Sequence, residues 1–426
     1  MNKPLPFQRI LNICLALVAL ACLPLLARAD LACLAKVECV SLEEKPVSAG
    51  NPVEEGAINK TFTKSWKTQY RGMNASPHRL TETDIKDFAD MGGNLLRLSF
   101  AATPLMKIKE PNTIDNAVFE KLDKILNLCE KYNVQVLLDP HYYPGMNHSP
   151  WTMYGSDQFF SDFKYHDLLV QLWESIAQRY KDRGDVIAGY DLLNEPSQNL
   201  PLKPGSPSDL NLLYAKLIQA IRKYDTHHTL VIAAPYFYED SVSHGYCEGT
   251  RYLNPALLDS NTVVEVHFYE PARFTHQSIS KEEVPVSYPG TITEYAWAGG
   301  RTDTYDALRL KQSLELARQF SVKNKVEILV GEFSAPRHLG NYGANLWIED
   351  VIKIMEEFRF SWAYHEYRGF QGWDAERSNT DKADLKRYAS TPRLLLLKKY
   401  FALNEHPEIK KMPDEKPRAE ANESKN

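Results

Sequence analysis

The sequence predicts an α/β protein built as one (β/α)8 TIM barrel, a closed ring of eight parallel strands with helices outside it. The first observation behind this prediction is that strand-like runs and helical patterns alternate along most of the 426 residues. The second is that the strand-like runs are almost continuously apolar, as they are in sheets covered on both faces. The third is their number, because eight such runs suffice to close a barrel.

The predicted elements follow one another in regular alternation. Strands are predicted over 69–74, 94–100, 134–141, 186–195, 229–235, 262–269, 327–333 and 360–364. Helical periodicity predicts helices over 82–91, 119–132, 168–180, 210–224, 305–323 and 344–358, with a short candidate at 254–258. The segment 270–303 shows neither period, so we predict a long irregular loop that forms a lid or binding wall, with a decorative insertion as the alternative.

The amino-terminal segment has the features of a secretory signal. Lys3 and Arg9 precede an apolar stretch, and Ala27-Arg28-Ala29 has the small-x-small pattern of a signal-peptidase site. We predict cleavage after Ala29, with an uncleaved membrane anchor as the alternative, although the stretch is short and is broken by Pro24. The protein is then expected to be secreted or periplasmic, without stable membrane insertion.

These features divide the chain into four predicted parts. They are a signal peptide over 1–29, a lead-in over 30–65, a single catalytic barrel domain over 66–404 and a disordered charged tail over 405–426. The tail is predicted to be disordered because it mixes charged and small residues and has no apolar periodicity.

The composition argues against several classes of function. The formal net charge is -5 and no basic stripe is present, so nucleic acid is not a predicted partner. No CxxC or HExxH pattern occurs, and we predict no metal and no organic cofactor. Cys33 and Cys39 are close enough to form a small disulfide loop, a pairing that the sequence leaves open, whereas Cys129 is predicted to be a buried helix residue.

Two glutamates stand at the ends of two predicted strands. Glu195 closes the run VIAGYDLLNE and Glu332 closes the run VEILVGE. A charge in such a place is costly unless it faces a polar cleft. Because the carboxyl ends of barrel strands form the active site, the two side chains are expected to converge there. Two facing carboxylates are the equipment of glycoside hydrolysis.

Further strand-end residues complete a recognisable pattern. They are Arg97 in NLLRLSF, His141 in LLDPHYY, Asn194 beside Glu195, His267 and Tyr269 in VHFYE, and Trp362 in FSWAY. Each motif is weak alone, but all of them occur in order at predicted strand ends between about 70 and 374. With these residues the chain resembles the family 5 glycoside hydrolases, the cellulase and mannanase family of (β/α)8 barrels that act with two catalytic glutamates.

The resemblance implies a role for each of these residues. Glu195 is expected to be the general acid/base and Glu332 the nucleophile. Arg97 and Tyr269 are expected to stabilise the ionised nucleophile, and Asn194 to bind a sugar 2-hydroxyl. An ion pair that serves only structure is the alternative for Arg97.

The remaining expectations concern the walls of the cleft. His141 and His267 are expected to line it, and Trp362 to form the apolar platform beneath the reacting sugar. For all three the alternative is an ordinary core residue. Candidates for further sugar subsites are Trp151, Tyr236, Tyr238, Trp297 and Trp373.

The sequence therefore predicts a secreted retaining endo-β-1,4-glucanase that acts on a β-glycan polysaccharide or oligosaccharide. A β-mannanase or another β-glycoside or glycoconjugate hydrolase of the same family is the alternative. A non-catalytic carbohydrate-binding barrel is the alternative of another class, although such a protein needs neither glutamate. Ser334, where many family members carry glycine, weakens the choice of substrate more than the choice of mechanism. The exact glycan, endo or exo action and the oligomeric state are left open.

Overall fold

The computed structural model confirms the predicted barrel. It describes residues 65–101, 116–143, 145, 158–199, 203–239, 242–279 and 282–409. Eight parallel strands close into a ring in the order of the sequence. They are Arg71–Ala75, Leu95–Ala101, Gln135–Tyr142, Ile187–Asp191, Thr229–Ala233, Thr262–His267, Glu327–Glu332 and Ser361–Tyr364. The predicted signal peptide, Cys33, Cys39, Trp151 and positions 410–426 lie outside the described residues, and the predictions made for them stay predictions.

Helices alternate with the strands as predicted. The longer ones are Glu82–Asp90, Asn116–Lys131, Phe163–Tyr180, Leu210–Arg222, Ala307–Asn324, Ala344–Phe358 and Pro392–Phe401. Between the fifth and sixth barrel strands, the described residues form two short strands, Tyr236–Glu239 and Val242–His244, and three short helical turns, Tyr246–Gly249, Thr250–Tyr252 and Pro255–Leu257. Cys129 is buried in the helix Asn116–Lys131, as expected. Within the described residues, no helix is long and apolar enough to cross a membrane.

The interior of the barrel is apolar at the end where the strands begin. Its side chains are Tyr70, Leu95, Leu137, Ala188, Val231, Val263 and Leu329, and Trp66 packs edge-on against Tyr70. Most of them stand near the amino-terminal ends of their strands. The other faces of the strands pack against the helices in a second, larger core. Both faces of the sheet are therefore buried, which explains the near-continuous apolar runs in the sequence.

The next interior layer, toward the carboxyl ends of the strands, is charged. Side chains alternate along a strand, so the residues two positions after Leu95, Leu137 and Val263 also point inward. These residues are Arg97, Asp139 and Glu265, and all three are fully buried. The corresponding position of the seventh strand is Gly331, where a Cβ atom would lie only 1.6 Å from Oε1 of Glu265. The glycine is required there because the carboxylate occupies the space of a side chain.

The segment 270–303 is more ordered than predicted, and the expectation of an irregular loop throughout was wrong. It contains a helical turn, Ala272–Thr275, and an antiparallel hairpin of Gly290–Thr293 with Thr302–Tyr305. The carboxylate of Glu294 accepts hydrogen bonds from the backbone amides of Ala272 and Arg273, which ties the hairpin to the turn. The segment borders the cleft above the barrel, which agrees with the predicted binding wall.

Candidate active site

The more buried of the two predicted catalytic glutamates is Glu332, at the carboxyl end of the seventh strand. Oε1 accepts a hydrogen bond from Nη1 of Arg97 at 2.9 Å, and Oε2 accepts one from the hydroxyl of Tyr269 at 3.0 Å. Nδ1 of His365 lies 3.3 Å from Oε2. Only 7% of the Glu332 side chain is exposed. Arg97 and Tyr269 therefore contact the carboxylate as expected.

These partners hold Glu332 in its charged form. Burial alone would raise the pKa of this carboxyl group, because it penalises the ion. The positive charges of His365, His267 and Arg97 outweigh that effect and hold the pKa well below its usual value. Glu332 is consequently an ionised carboxylate over the whole physiological pH range.

Glu195 lies beside it in a more open position. Its side chain is 21% exposed, and Oε1 lies 2.8 Å from Nδ1 of His267. The backbone of Glu195 has a φ of 43°, in the left-handed region that non-glycine residues seldom adopt. Such conformations cluster at functional sites, where the surrounding structure holds them. A carboxylate oxygen of Glu195, one of Glu332 and a ring nitrogen of His267 all lie within 4.8 Å of one another.

Asn194 and His141 occupy the wall next to the two acids. Oδ1 of Asn194 accepts a hydrogen bond from Nη2 of Arg97 at 2.9 Å, and its Nδ2 lies 3.3 Å from Nε2 of His141. His141 is oriented in turn by Asp139, whose Oδ2 is 2.8 Å from Nδ1 of the ring. The histidine borders the cleft as predicted, and the amide of Asn194 is fixed in one orientation by its two neighbours.

Arg97 joins four buried carboxylates. Its guanidinium nitrogens lie 2.8 Å from Asp191, 2.9 Å from Asp139, 3.2 Å from Glu265 and 2.9 Å from Glu332. One cation cannot balance four anions. Burial, and then the negative charge of Glu265, raise the pKa of Asp191 well above its usual value.

Sequence reasoning missed most of this charged layer. Asp139, Asp191 and Glu265 were not among the predicted site residues. The signal was available, because NLLRLSF, VLLDPH, AGYDLL and VVEVHF each carry one charged residue inside an apolar run. One charge per strand at a similar depth predicts a polar layer within a barrel.

The expectation for Trp362 was wrong. This residue is 0% exposed, and its Nε1 donates to Oε1 of Glu356 at 2.9 Å. Its ring stacks on Phe401 with centroids 5.7 Å apart, in the core between the barrel and the helices. The physical reason is the alternation of side chains along the eighth strand, which turns Trp362 outward and brings His365, just past the strand end, to the cleft.

His365 could have been found from the sequence. Three strand-like runs lead into a histidine, in LLDPH, VVEVH and SWAYH. The first two supplied the predicted residues His141 and His267, and the third supplies His365. All three rings border the cleft.

An aromatic wall extends from the two acids toward the hairpin. Trp373 stacks on Tyr269 with ring centroids 5.7 Å apart and 28° between the planes. His276 lies 5.7 Å from Trp373 and 6.2 Å from Trp297, which itself stacks on Tyr295 at 5.5 Å.

Of the predicted subsite residues, Tyr236, Trp297 and Trp373 border the cleft. The side chain of Tyr238 and all of Trp151 lie outside the described part of the structure. The whole cleft encloses about 1580 Å³, from Ser76 and His141 to the hairpin. Such a cleft has room for more than one sugar ring.

The trio of Glu195, His267 and Glu332 also has a spacing that a metal ion can use. Each group, however, already has a partner of opposite charge or a hydrogen-bond donor: His267 faces Glu195, and Arg97 and Tyr269 bind Glu332. We therefore treat the trio as two carboxylates on either side of an imidazole, with Glu332 held ionised.

The sequence matches the family model of cellulase (glycosyl hydrolase family 5) over residues 50–371. A curated protein named beta-xylosidase, from Phanerodontia chrysosporium, is 26% identical over 309 residues, which are 68% of this chain and 57% of that protein. The chain thus spans little more than half the length of that relative. Endoglucanase C of Acetivibrio thermocellus is 26% identical over 321 residues, which are 71% of this chain and 87% of that protein.

Solved structures show the same fold. The structure of Thermotoga maritima Cel5A in complex with cellobiose superimposes with a TM-score of 0.59 and 22% identity. The match covers 78% of this chain and 98% of that chain. At this identity the likeness supports the (β/α)8 barrel alone.

Proposed function

We propose that this chain, which belongs to the cellulase family, glycosyl hydrolase family 5, cleaves β-1,4-linked glucan chains internally and with retention of anomeric configuration. The observation that carries the proposal is the pair of Glu195 and Glu332, whose nearest oxygens lie within 4.8 Å of each other. Retaining enzymes use carboxyl groups about 5 to 5.5 Å apart, whereas inverting enzymes need roughly 6.5 to 9.5 Å to admit a water molecule.

The proposed reaction has two steps. In the first, an oxygen of Glu332 attacks the anomeric carbon while Glu195 gives its proton to the departing glycosidic oxygen, which leaves a glycosyl ester on Glu332. In the second, Glu195 takes a proton from a water molecule as that water attacks the same carbon. The ester bond breaks, and both carboxyl groups return to their starting protonation states.

The neighbours of the two acids have matching tasks. Arg97 and Tyr269 hold Glu332 ionised and fix its orientation for attack. Asn194 is held by Arg97 and His141 beside Glu195, where it is placed to bind the 2-hydroxyl of the sugar. Such a bond strengthens as positive charge develops on the ring and so favours the transition state.

Cleavage within a polymer is supported by the shape of the cleft. A cleft of about 1580 Å³ with Trp373 and Trp297 along one wall offers successive apolar faces to a glycan chain. Pyranose rings present C–H groups that pack on aromatic faces. One relative is named endoglucanase C, and the alignment covers 87% of its length, compared with 57% of the length of the relative named beta-xylosidase.

Export is also part of the proposal. The support is the apolar stretch followed by Ala27-Arg28-Ala29. Amino-terminal sequencing of the protein recovered from the periplasm or medium should begin at Asp30. Recovery in the cytoplasmic fraction with Met1 in place would contradict export.

The function is tested by assaying the purified protein on soluble β-1,4-glucan, mannan, xyloglucan and xylan. We expect cleavage of the glucan with products of intermediate length from the first minutes, as internal cleavage requires. Proton NMR of these early products should show the β-anomer first. Preference for mannan would contradict the proposed glucan substrate. Release of only mono- or disaccharides would contradict internal cleavage, and appearance of the α-anomer first would contradict retention.

A further inference from the structure

We propose that Glu265 is a positioning residue for the acid/base: acting through His267, it sets how strongly Glu195 holds its catalytic proton. The proposal rests on the function proposed above, in which Glu195 is the acid/base. It adds a residue that neither the sequence pattern nor the comparisons assign to the site.

The geometry places three groups in a row. Oε1 of Glu265 lies 3.4 Å from Nε2 of His267, and Nδ1 on the other side of that ring lies 2.8 Å from Oε1 of Glu195. The first distance is that of an ion pair rather than a directed hydrogen bond, whereas the second is short enough for one proton to be shared. Because the ring connects the two carboxylates, a charge on one affects the protonation of the other.

Glu265 is an expensive residue for the chain to retain if its role is only structural. Its side chain is 0% exposed in the interior of the barrel, where an unpaired charge is strongly destabilising. It shares Arg97 with three other carboxylates, at 3.2 Å from Nε. The seventh strand must also carry Gly331 to leave room for it. A well-packed apolar residue at 265 would avoid all of these costs.

The three carboxylates around His267 act in the same direction on its pKa. Glu195, Glu265 and Glu332 face the ring at 2.8, 3.4 and 3.7 Å, and the ring of Tyr246 lies 5.5 Å away. Arg97 is on the far side of Glu265 and Glu332, where it offsets part of their charge. Burial alone would lower the pKa of His267, but the carboxylates outweigh burial and raise it well above its usual value.

The functional consequence concerns the pair of His267 and Glu195 as a unit. The negative charge of Glu265 increases the affinity of this unit for its proton, so the acid stays protonated to higher pH. Removing the charge while keeping the shape should release the proton at lower pH. The loss of activity on the basic side of the pH profile of kcat/KM reports this step in the free enzyme.

The test compares Glu265→Gln with two other variants. Glu265→Gln should move the basic limb of kcat/KM on a natural glucan to lower pH by about one unit, within the range that a charge at this distance produces. Glu265→Asp keeps the charge, so its basic limb should move by less than that of Glu265→Gln. Asp139→Asn is the matched control, because Asp139 also pairs with Arg97 at 2.9 Å but contacts His141 instead of His267. It should move the limb by less than half as much.

A second readout does not depend on catalysis. The NMR titration of labelled His267 should show that its pKa falls in Glu265→Gln and stays close to the wild-type value in Asp139→Asn, with melting temperatures confirming that each variant is folded. If the His267 titration stays at the wild-type position in folded Glu265→Gln, the proposal is overturned. If the titration falls but the basic limb stays in place, Glu265 does not act on the catalytic proton and the proposal also fails. Absence of activity in the wild-type protein would instead contradict the proposed function, and the titration would still report the coupling.

Discussion

The surroundings of Glu332 and Glu195 differ in burial, partners and backbone, although the two carboxylates are neighbours. Glu332 is 7% exposed, lies at the end of a barrel strand and contacts Arg97, Tyr269 and His365. Glu195 is 21% exposed, follows the strand in a left-handed backbone conformation and has its short side-chain contact with His267. The first region fixes a charge, whereas the second leaves a carboxylate in contact with solvent, as the proposed acid/base requires.

Under the proposed function, this difference in surroundings gives two roles to the same residue type. A nucleophile must remain ionised and must not move, and donors on both oxygens of Glu332 serve both needs. An acid/base must lose and regain a proton within each turnover, so it needs access to water and a partner that shares the proton. The pattern of two glutamates does not by itself say which has which role, and the roles proposed here follow from their environments.

The largest expected effect comes from Glu332→Ala. Without the nucleophile no glycosyl ester forms, so kcat/KM on both natural glucan and an activated aryl β-glycoside should fall by roughly 10⁴-fold or more. Steady-state kinetics on both substrates measure this loss. Equal activity of the variant and the wild type on the aryl glycoside would break the assignment of the nucleophile.

Glu195→Ala should show a smaller and substrate-dependent loss. On natural glucan the missing acid should cost roughly 10² to 10⁴-fold, whereas formation of the ester from an aryl glycoside with a good leaving group needs little acid assistance. Added azide should restore turnover of the aryl substrate and yield a β-glycosyl azide, detected by mass spectrometry and NMR. Losses of the same size on both substrates, with no azide product, would remove the distinction between the two regions.

The hydroxyl of Tyr269 tests how the surroundings of Glu332 keep it ionised, and its removal should have a smaller effect on activity. Tyr269→Phe removes one donor to Oε2 of Glu332, a loss of about 1.5 to 3 kcal/mol for a bond to a charged group, or roughly 10 to 100-fold in kcat/KM. The pKa of Glu332 is depressed, so activity is present above that pKa and is lost as pH falls through it. Removing the donor should raise the pKa of Glu332 and so move the acidic limb of the pH profile to higher pH. An acidic limb at the wild-type pH would show that Tyr269 does not stabilise the ionised carboxylate.

The smallest expected effect concerns Trp373, which belongs to the aromatic wall of the cleft. Trp373→Ala should lower kcat/KM by about 5-fold, corresponding to about 1 kcal/mol of stacking, with little change in melting temperature. Trp362→Ala is the contrasting variant, because removing a core tryptophan should cost about 3 to 5 kcal/mol of stability. Thermal unfolding and kinetics on the same samples separate the two. A Trp362→Ala variant that lost activity but kept its melting temperature would instead indicate that Trp362 contacts the sugar.

The fold was predictable because its signals are repeated along the chain. Eight apolar runs and their intervening helical periods depend on burial of both sheet faces, and that condition acts on every strand alike. The site residues at strand ends were predictable for the same reason, since the barrel brings all of these ends together. Arg97, His267 and Tyr269 accordingly contact the two glutamates.

The features that could not be predicted from the sequence depend on the side of a strand to which one residue points, or on contacts between distant segments. Ser361-Trp362-Ala363-Tyr364 is compatible with either face of the eighth strand, and the register of closure turns Trp362 toward Phe401. The burial of Glu265 against Gly331 depends on contacts between strands, which no local pattern encodes. The order within 270–303 depends on Glu294, whose carboxylate binds amides of the preceding helical turn.

The measurement that tests the central claim most directly is the trapping of the covalent intermediate. A 2-deoxy-2-fluoro-β-glucoside or cellobioside with a dinitrophenyl leaving group should inactivate the protein with one equivalent of sugar attached. Peptide mapping by mass spectrometry should then locate the sugar on Glu332, the buried and ionised carboxylate. A label on Glu195, or full turnover of the reagent to the α-anomer without any adduct, would contradict the assignment of the two regions.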